Sequence, residues 1–480
     1  MISWLEPNER WTPTAAGTAS STRQRVDAEN FNLALILNLI RTGQAKTRQE
    51  IERQSGLGRA IVMDRLATLM ELGLIEEGEL APSTGGRAPR HVRFNECAGL
   101  VLLASIEGSS IGVAVADLSG RLLVEHHEAA SPEDGPEVFF ERLTTLFDWI
   151  LEQREPGSGV WGIGIAVSGR VEVPAGQPFV SPRFHGMPGW EDYPLVERLA
   201  ARYGTAIWVR GGIPMKTLGE QRAGAGQGVP NMIYVDLDRE ITAGLISEGH
   251  LHTGAQGGAG MIGHFAAQEH NTALCRCGNV GCLETAAGSG AIVREATHAA
   301  EGGQSRLLAE TLAASGELSP ADVGAAAQRG DPVGAELMAR AGRLVGTALA
   351  ELANAFNPSL IVLAGSVAQA SDIVLATIRE AVYRRSHPLV TRDLSIVRSQ
   401  MSGSAVLVGT VMSVVDEIFA TESLSFWVAH GSPLSHPGIV TQLSKIRESA
   451  SNNERKPKPP VTSGLRNNQR PESGADAGRK

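Results

Sequence analysis

Residues 273–288 read ALCRCGNVGCLETAAG, and this stretch holds three of the four cysteines in a chain of 480 residues. Cys275, Cys277 and Cys282 lie so close together in the sequence that binding of one metal ion by all three is the simplest explanation. Zinc (Zn2+) favours tetrahedral coordination by cysteine thiolates and histidine, so the spacing predicts a zinc site completed by a nearby histidine.

Two histidines, His264 and His270, are local candidates for the fourth ligand. An independent DNA-binding zinc finger needs a second ligand pair at finger spacing, and a redox dithiol needs Cys-x-x-Cys; both are absent here. The remaining alternative is a set of buried free thiols, the environment also expected for the distant Cys97. Four side-chain ligands leave no position for water, so the predicted zinc is structural.

The composition indicates two or three globular domains. Apolar residues make up 42% of the chain, and the length exceeds what one compact core normally holds. No run of about eighteen apolar residues is present, which predicts a cytoplasmic protein without a membrane segment. The net charge of −9 argues against nucleic-acid binding by the whole surface but permits a local basic patch.

The two ends differ in composition from the middle. Residues 1–28 are predicted to be a disordered arm, and residues 449–480 a disordered tail, because neither contains enough large apolar side chains to offset its ordering entropy. The mixed pattern of residues 421–448 predicts neither a helix nor a strand. The patterned part divides into 29–96 and 97–420.

Residues 29–96 contain the signals of three helices. An apolar run, NFNLALILNLI, predicts a helix that ends near Gly43. Thr47 and Glu50 form a capping-box pattern, which places the start of a second helix at Thr47. That helix stops at Ser55-Gly56, and a third follows from Gly58.

The third helix and the segments after it predict a winged helix. Ile61, Leu66, Leu69 and Leu72 recur near helical spacing, and a short helix, a glycine-containing turn and a second helix form the helix-turn-helix arrangement. Residues 74–76 and 91–95 would pair as a hairpin around the glycine-rich, basic tip STGGRAPR. In a helix-turn-helix domain the second helix enters the major groove of DNA.

Charge supports DNA binding by this domain. Between residues 41 and 65, six basic side chains stand against three acidic ones, although the same charges would also suit an ordinary solvated helix surface. Arg59 begins the recognition helix, and Arg87 could enter a minor groove. The predicted contacts to double-stranded operator DNA are Thr47, Arg48, Arg59, Ala60, Met63, Arg65, Gly86 and Arg87.

Residues 97–420 alternate β-like runs with helical stretches, in an order that repeats in two halves. This pattern indicates two α/β lobes around a cleft.

The segment 257–288, GGAGMIGHFAAQEHNTALCRCGNVGCLETAAG, resembles the zinc-containing signature of the ROK family (repressors, open reading frames and sugar kinases). The resemblance extends over 29–420 and includes MPGW (187–190) and NPSLIVLAG (357–365). It implies an actin-like ATPase (ribonuclease H-like) fold of two lobes with a sugar site in the cleft. It also implies zinc ligation by His264, Cys275, Cys277 and Cys282.

The resemblance implies a ligand site that this chain retains only in part. His264 and Glu284 stand in the family's ligand positions, but Met261 replaces a glutamate that is usual there. Glu284 would either accept hydrogen bonds from a ligand hydroxyl or cap local structure. Sugars or sugar phosphates are the family's usual effectors, and a homodimer or homotetramer is the expected assembly.

The front of the chain looks like the winged helix fused to ROK regulators, which kinase members lack, and the phosphate-binding segments depart from the kinase pattern. The first reads Ser-Ile-Glu-Gly-Ser (105–109) where kinases carry Asp and then Gly-Gly-Thr. The second reads Asp-Arg-Glu-Ile-Thr (238–242) in place of a glycine-rich loop. Gly211 and Gly212 occupy the positions of the kinases' sugar-binding asparagine and catalytic aspartate.

These residues predict a transcriptional regulator that acts as a repressor and has no catalytic residues in its ROK domain. A ligand would shift the lobes and thereby separate two winged helices matched to DNA half-sites. The main alternative is an ATP-dependent carbohydrate kinase that uses Glu220 or Asp236 as its base. A second alternative is a scaffold whose winged helix contacts protein.

Overall fold

The protein is described by a computed structural model that covers residues 19–80, 90–108, 110–130, 134–153, 159–168, 170–172, 183–185, 189–191, 193–267, 272–401 and 403–454. It contains an N-terminal winged helix, here called the head, and a body of two α/β lobes. The predicted fold class is confirmed.

The head consists of three helices and a two-stranded wing, and the list below gives their bounds. Val62, Leu66 and Leu69 are buried in its core, whereas Ile61, predicted to belong to that core, is exposed because it lies on the opposite side of its helix. The elements are α1 (Ala19–Arg41), α2 (Arg48–Ser55), α3 (Arg59–Glu71), β1 (Ile75–Leu80) and β2 (Arg90–Phe94), with β1 and β2 antiparallel.

The first lobe is a five-stranded mixed sheet covered by two helices. Its strands are β3 (Leu100–Glu107), β4 (Ser110–Ala116), β5 (Leu122–Ala129), β6 (Val160–Val167) and β9 (Ala206–Gly211), in the order β5-β4-β3-β6-β9. Phe139, Phe147 and Leu199 pack on one face of this sheet. The helices are α4 (Pro136–Glu152) and α5 (Leu195–Tyr203), and a small pair is formed by β7 (Arg170–Glu172) and β8 (Arg183–His185).

The second lobe repeats this topology. Its strands are β10 (Met232–Leu237), β11 (Ile241–Ser247), β12 (His250–His252), β13 (Leu360–Ala364) and β14 (Ser395–Arg398), in the order β12-β11-β10-β13-β14. In each lobe, therefore, two antiparallel strands lie on one side of the first strand and two parallel strands lie on its other side. The helices are α7 (Leu283–Ala287), α8 (Ser289–Glu301), α9 (Arg306–Ser315), α10 (Pro320–Gln328), α11 (Pro332–Phe356), α12 (Ser366–Ala370), α13 (Asp372–Arg385) and α14 (Pro388–Thr391).

Two helices, α6 (Gly212–Ala223) and α15 (Ser404–Ile418), pack against each other between the lobes. A Cβ atom on Gly219 would lie 2.0 Å from the carbonyl oxygen of Ala405, and one on Gly409 would lie 1.8 Å from that of Met215. The helices thus touch through their backbones, and no larger residue fits at either glycine.

The segment after α15 returns to the head. Phe419 follows α15, and its ring lies 5.4 Å from that of Phe94 and 5.5 Å from that of Trp427. Trp427 also packs on Trp161 of the first lobe, with 5.4 Å between ring centroids, and its indole N–H donates to the carbonyl of Ile418. We call these four rings the head–body cluster.

The ends of the folded region differ from the sequence expectation. Helix α1 begins at Ala19, within the predicted arm, because its Ala, Gln and Arg residues favour helix without an apolar pattern. The unassigned stretch forms α16 (Thr421–Trp427), two 3₁₀ turns and α17 (Pro437–Glu454), whose last residues lie within the predicted tail. The domain boundaries otherwise stay predictions.

Among the described residues, no single helix is long and apolar enough to cross a membrane, and only the bent pair Ser404–Ile418 and Ser423–His430 meets that test when joined.

Candidate functional site

The predicted metal ligands converge on one point beside the second lobe. The ligand atoms of His264, Cys275, Cys277 and Cys282 all lie within 4.8 Å of one another. Cys277 Sγ is 3.6 Å from Cys282 Sγ, and His264 Nδ1 is 3.6 Å from Cys275 Sγ. The competing candidate, His270, lies outside the described residues.

Backbone pairing folds this loop. Leu274 bridges to Val280, which brings the first two cysteines close, and Ala266 bridges to Cys282. Gly260, at φ +87°, lets the loop lie on β11, because a Cβ atom there would fall 1.8 Å from the carbonyl oxygen of Ala243. The ligand loop is therefore fixed to the sheet by its backbone.

The donor set fits zinc. Zn–S bonds of about 2.3 Å in a tetrahedron place two sulfurs about 3.8 Å apart, close to the observed separation of Cys277 and Cys282. Burial raises the pKa of the Cys282 thiol to about 12, whereas the backbone N–H of Asn279 lowers the pKa of the exposed Cys277 thiol. A divalent cation would supply the positive charge that a buried thiolate needs.

The zinc loop leads directly into the predicted ligand site. Cys282 is the N-cap of α7, and Glu284 lies in the first turn of that helix. Arg276, between two of the cysteines, forms an ion pair with Glu284, with its Nε 3.1 Å from Glu284 Oε1 and its Nη2 donating to Oε2 at 3.5 Å, and it also pairs with Glu240. Glu284 is thus held by an arginine of the zinc loop, which is a structural partner that the sequence alone did not indicate.

A second charged group lies where the first strands of the two lobes end. The ammonium of Lys216 on α6 is 2.8 Å from Glu107 Oε1 and 2.8 Å from Asp236 Oδ2. Glu107 ends the first strand of one lobe and Asp236 lies near the end of the first strand of the other. Glu107 stands at a predicted phosphate-loop position, and this was the sequence signal that could have led to its pairing with Lys216. A carboxylate that is partly buried needs a cation beside it.

The two positions predicted to match the kinases' asparagine and aspartate are both glycines. Gly211 and Gly212 end β9 and begin α6, and a Cβ atom on Gly212 would lie 3.5 Å from Glu107 Oε1. Glu220 is fully buried and accepts hydrogen bonds from the Ser399 hydroxyl and the Ala225 N–H. Asp236, the other proposed base, is paired with lysine.

The predicted DNA contacts on α2 divide by exposure. Thr47 is buried, and its hydroxyl accepts from the Glu50 N–H at 3.3 Å, while Glu50 accepts from the Thr47 N–H at 3.1 Å. This confirms the capping box, and the contact of Thr47 with DNA stays a prediction. Arg48 is half-exposed and lies 3.5 Å from Glu77 of the wing.

Helix α3 presents three of its predicted contacts to solvent. Arg59, Ala60 and Met63 are exposed, with 41% of Met63 accessible. Arg65 is only 17% exposed and lies 3.6 Å from Glu29 and 3.1 Å from Asp64, and its role as a DNA contact stays a prediction. Gly86 and Arg87 lie outside the described residues. Cys97, expected to be buried, is exposed.

The known proteins that resemble the chain include transcriptional regulators of the ROK family. The ROK family model matches residues 105–417. The xylose repressor of Caldicellulosiruptor bescii is 24% identical over 82% of this chain and 97% of its own length. The DNA-binding transcriptional dual regulator NagC of Escherichia coli is 28% identical over 78% of this chain and 89% of its own length.

The solved structures that resemble the chain include a regulator and a kinase. A ROK family transcriptional regulator, described as a homologue of the E. coli MLC protein, has a TM-score of 0.67 at 22% identity and covers 87% of this chain and 100% of its own. A ROK glucokinase from Streptomyces griseus, solved with glucose and AMPPNP, has a TM-score of 0.55 at 28% identity and covers 66% and 99%. With a family model matched over more than half its length, this chain belongs to the ROK family.

Proposed function

We propose that this chain is a transcriptional repressor that binds operator DNA through its head and uses its ROK body without phosphoryl transfer. The observation that supports this most is an exposed recognition helix attached to a ROK body. The relatives that match along most of the chain include a repressor and a transcriptional regulator. The basic side chain of Arg59 and its exposed neighbours on α3 supply the contact surface.

The cleft supports a body that is not a kinase. Phosphoryl transfer to a sugar needs a carboxylate that removes the hydroxyl proton, and Gly212 has no side chain at that position. Glu107 would repel a nucleotide phosphate, and the Lys216 ammonium is already paired with it. The kinase alternative would need a base that is neither buried nor paired.

The zinc is proposed to be structural. His264, Cys275, Cys277 and Cys282 would complete a tetrahedron and leave no position for water. Its role would be to hold the loop and the start of α7, and hence Glu284. Zinc thiolates suit the reducing cytoplasm, where operator DNA is found.

The proposed effector is a sugar or sugar phosphate that binds in the cleft through Glu284 and His264. Such a ligand would compete with Arg276 for the Glu284 carboxylate. In a homodimer or homotetramer, a shift between lobe arrangements would change the spacing of two heads and therefore their fit to paired half-sites. Sedimentation of the purified protein would determine the assembly.

The decisive experiment is selection of genomic fragments by the purified protein at physiological salt, followed by footprinting. Nonspecific phosphate binding is weak at that salt concentration, so only base-reading contacts enrich discrete sites. Paired protected half-sites are expected. A failure to enrich any sequence would overturn the proposal and favour a protein-contact role for the head.

The kinase alternative has its own measurement. ATP consumption is assayed with a panel of hexoses and N-acetylhexosamines, and no turnover above a no-sugar blank is expected. Sugar-dependent turnover would instead establish a carbohydrate kinase with a fused head.

A further inference from the structure

A partly buried ionic triad joins the two lobes. Lys216 contributes one ammonium, and each lobe contributes one carboxylate, Glu107 from β3 and Asp236 from β10, both at 2.8 Å. The side chains of Lys216, Glu107 and Asp236 are 20%, 26% and 7% exposed. Two carboxylates this close repel each other unless a cation lies between them.

The lysine lies on the helix that connects the lobes. Helix α6 follows the last strand of the first lobe, leads to the first strand of the second, and packs against α15 through Gly219 and Gly409. A shift of α6 along α15 would drive backbone into backbone, so the two helices are expected to move together.

Helix α15 in turn reaches the head. Its end leads into Phe419, which contacts Phe94 of the wing, and the Arg41 guanidinium of α1 lies 4.8 Å from the centre of the Phe419 ring. The Asn38 amide of α1 also donates to the carbonyl of Phe419. A continuous set of packed groups therefore connects the triad with the DNA-reading domain.

We propose that Lys216 is an internal latch that holds the lobes, without a small molecule, in the arrangement that binds operator DNA. The statement about operator binding rests on the proposed function, whereas the statement about the lobes does not. A ligand that changes the lobe arrangement must then overcome contacts made by this lysine.

The first test measures the lobes alone. Lys216→Met removes the ammonium and leaves two facing carboxylates, so amide hydrogen exchange at the cleft ends of β3 and β10 should accelerate at least tenfold, and the radius of gyration from solution X-ray scattering should rise. The matched control is Arg210→Met, which removes a cation of similar exposure, 22%, paired with only Glu417. Unchanged exchange and scattering in Lys216→Met would overturn the latch.

A triple variant separates bridging from charge neutralisation. Glu107→Gln/Lys216→Met/Asp236→Asn removes the repulsion together with the bridge. The latch requires that exchange stay at least tenfold faster than in the unsubstituted protein while the melting temperature recovers relative to Lys216→Met. A return of exchange to the unsubstituted rate would overturn the proposal, because the lysine would then only compensate the two carboxylates.

Operator binding tests the connection to the head. Fluorescence anisotropy with a selected site should give at least tenfold weaker binding for Lys216→Met and no change for Arg210→Met, because a mixture of lobe arrangements lowers the DNA-competent fraction. Equal or tighter binding by Lys216→Met, together with altered exchange, would overturn the link to operator binding and leave the proposed function standing. Failure of the unsubstituted protein to bind any site would instead refute the proposed function.

Discussion

The proposed function assigns His264 to two neighbouring sites with one side chain. Its Nδ1 faces the sulfur of Cys275, and the loop that carries it approaches Glu284, since a Cβ atom on Gly263 would lie 3.3 Å from Glu284 Oε2. Loss of this imidazole should therefore disturb both the metal and the predicted ligand site.

His264→Ala is expected to lose stoichiometric zinc and to melt at a lower temperature, because three ligands bind zinc more weakly and the loop depends on the metal. Metal analysis after gel filtration and differential scanning calorimetry measure both effects. The control is His270→Ala, the competing ligand candidate, which should retain zinc. Retained zinc in the His264 variant would refute the assignment.

Arg59 lies exposed at the start of α3, where the recognition helix is expected to contact base edges. Arg59→Ala should weaken operator binding by about 10- to 100-fold, the effect of losing about 1–3 kcal/mol of base recognition, and should relax sequence preference at one position. The exposed Arg329 in the second lobe supplies a charge-matched control, Arg329→Ala. Equal loss in both variants would indicate a general charge effect.

Residue-level prediction from sequence succeeded where the signal was local. The capping box and the cysteine spacing involve residues close in sequence, so their geometry follows from a few backbone angles. The low exposure of Arg65 had no local signal, because it depends on Glu29, more than thirty positions away. Lys216 was missed for the same reason, since its two partners lie on different lobes.

At the level of elements, the solvent-facing side of α3 is mostly apolar. Ala60, Ile61, Met63 and Ala67 are exposed there, together with the charged residues Arg59, Asp64 and Glu71. Small and apolar side chains read the C5-methyl group of thymine in the major groove. Helix α3 is therefore expected to favour thymine next to the base that Arg59 contacts.

Replacing thymine by deoxyuridine tests this expectation without altering hydrogen bonding. Each contacted methyl should be worth about 0.8 kcal/mol, or about fourfold in affinity. Titration of operator duplexes substituted at one position at a time locates the contacts, and Met63→Ala should abolish the effect at one of them. Full affinity for a duplex with every thymine replaced in the half-site would refute apolar readout.

Elements with strong periodicity were predictable, but those that depend on distant surfaces were not. The division into two α/β lobes follows from alternating β-like and helical runs, whereas the strand order in each sheet was not predicted. Helices α16 and α17 gave a mixed pattern, because Trp427 and Val428 are buried only by packing on residues of the head and the first lobe. Burial of this kind has no local sequence signal.

At the level of the whole molecule, the head–body cluster makes one hydrophobic core out of the head and part of the first lobe. Rigid attachment of the head allows a change in the body to alter head spacing, whereas a flexible linker would absorb it. We therefore expect the cluster to be needed for regulation as well as for stability.

Trp427→Ala should destabilise the protein by about 3–5 kcal/mol and release the head as an independently moving unit. Limited proteolysis is expected to cut between head and body in this variant, and calorimetry should resolve two transitions. The neighbouring Phe426 is 57% exposed, so Phe426→Ala controls for removal of an aromatic side chain. A single transition at the original temperature in Trp427→Ala would refute the role of the cluster.

The return of the chain to its beginning also bears on synthesis. The Asn38 amide contacts the carbonyl of Phe419, 381 positions later, and at about 5–20 residues per second the ribosome needs roughly 20–80 s to cover that distance. During this interval the nascent head has an uncovered apolar surface, on which chaperones or a neighbouring nascent chain can bind. Operator recognition should therefore mature only after α16 leaves the ribosomal exit tunnel, so that products of early termination cannot occupy promoters in the way the finished repressor does.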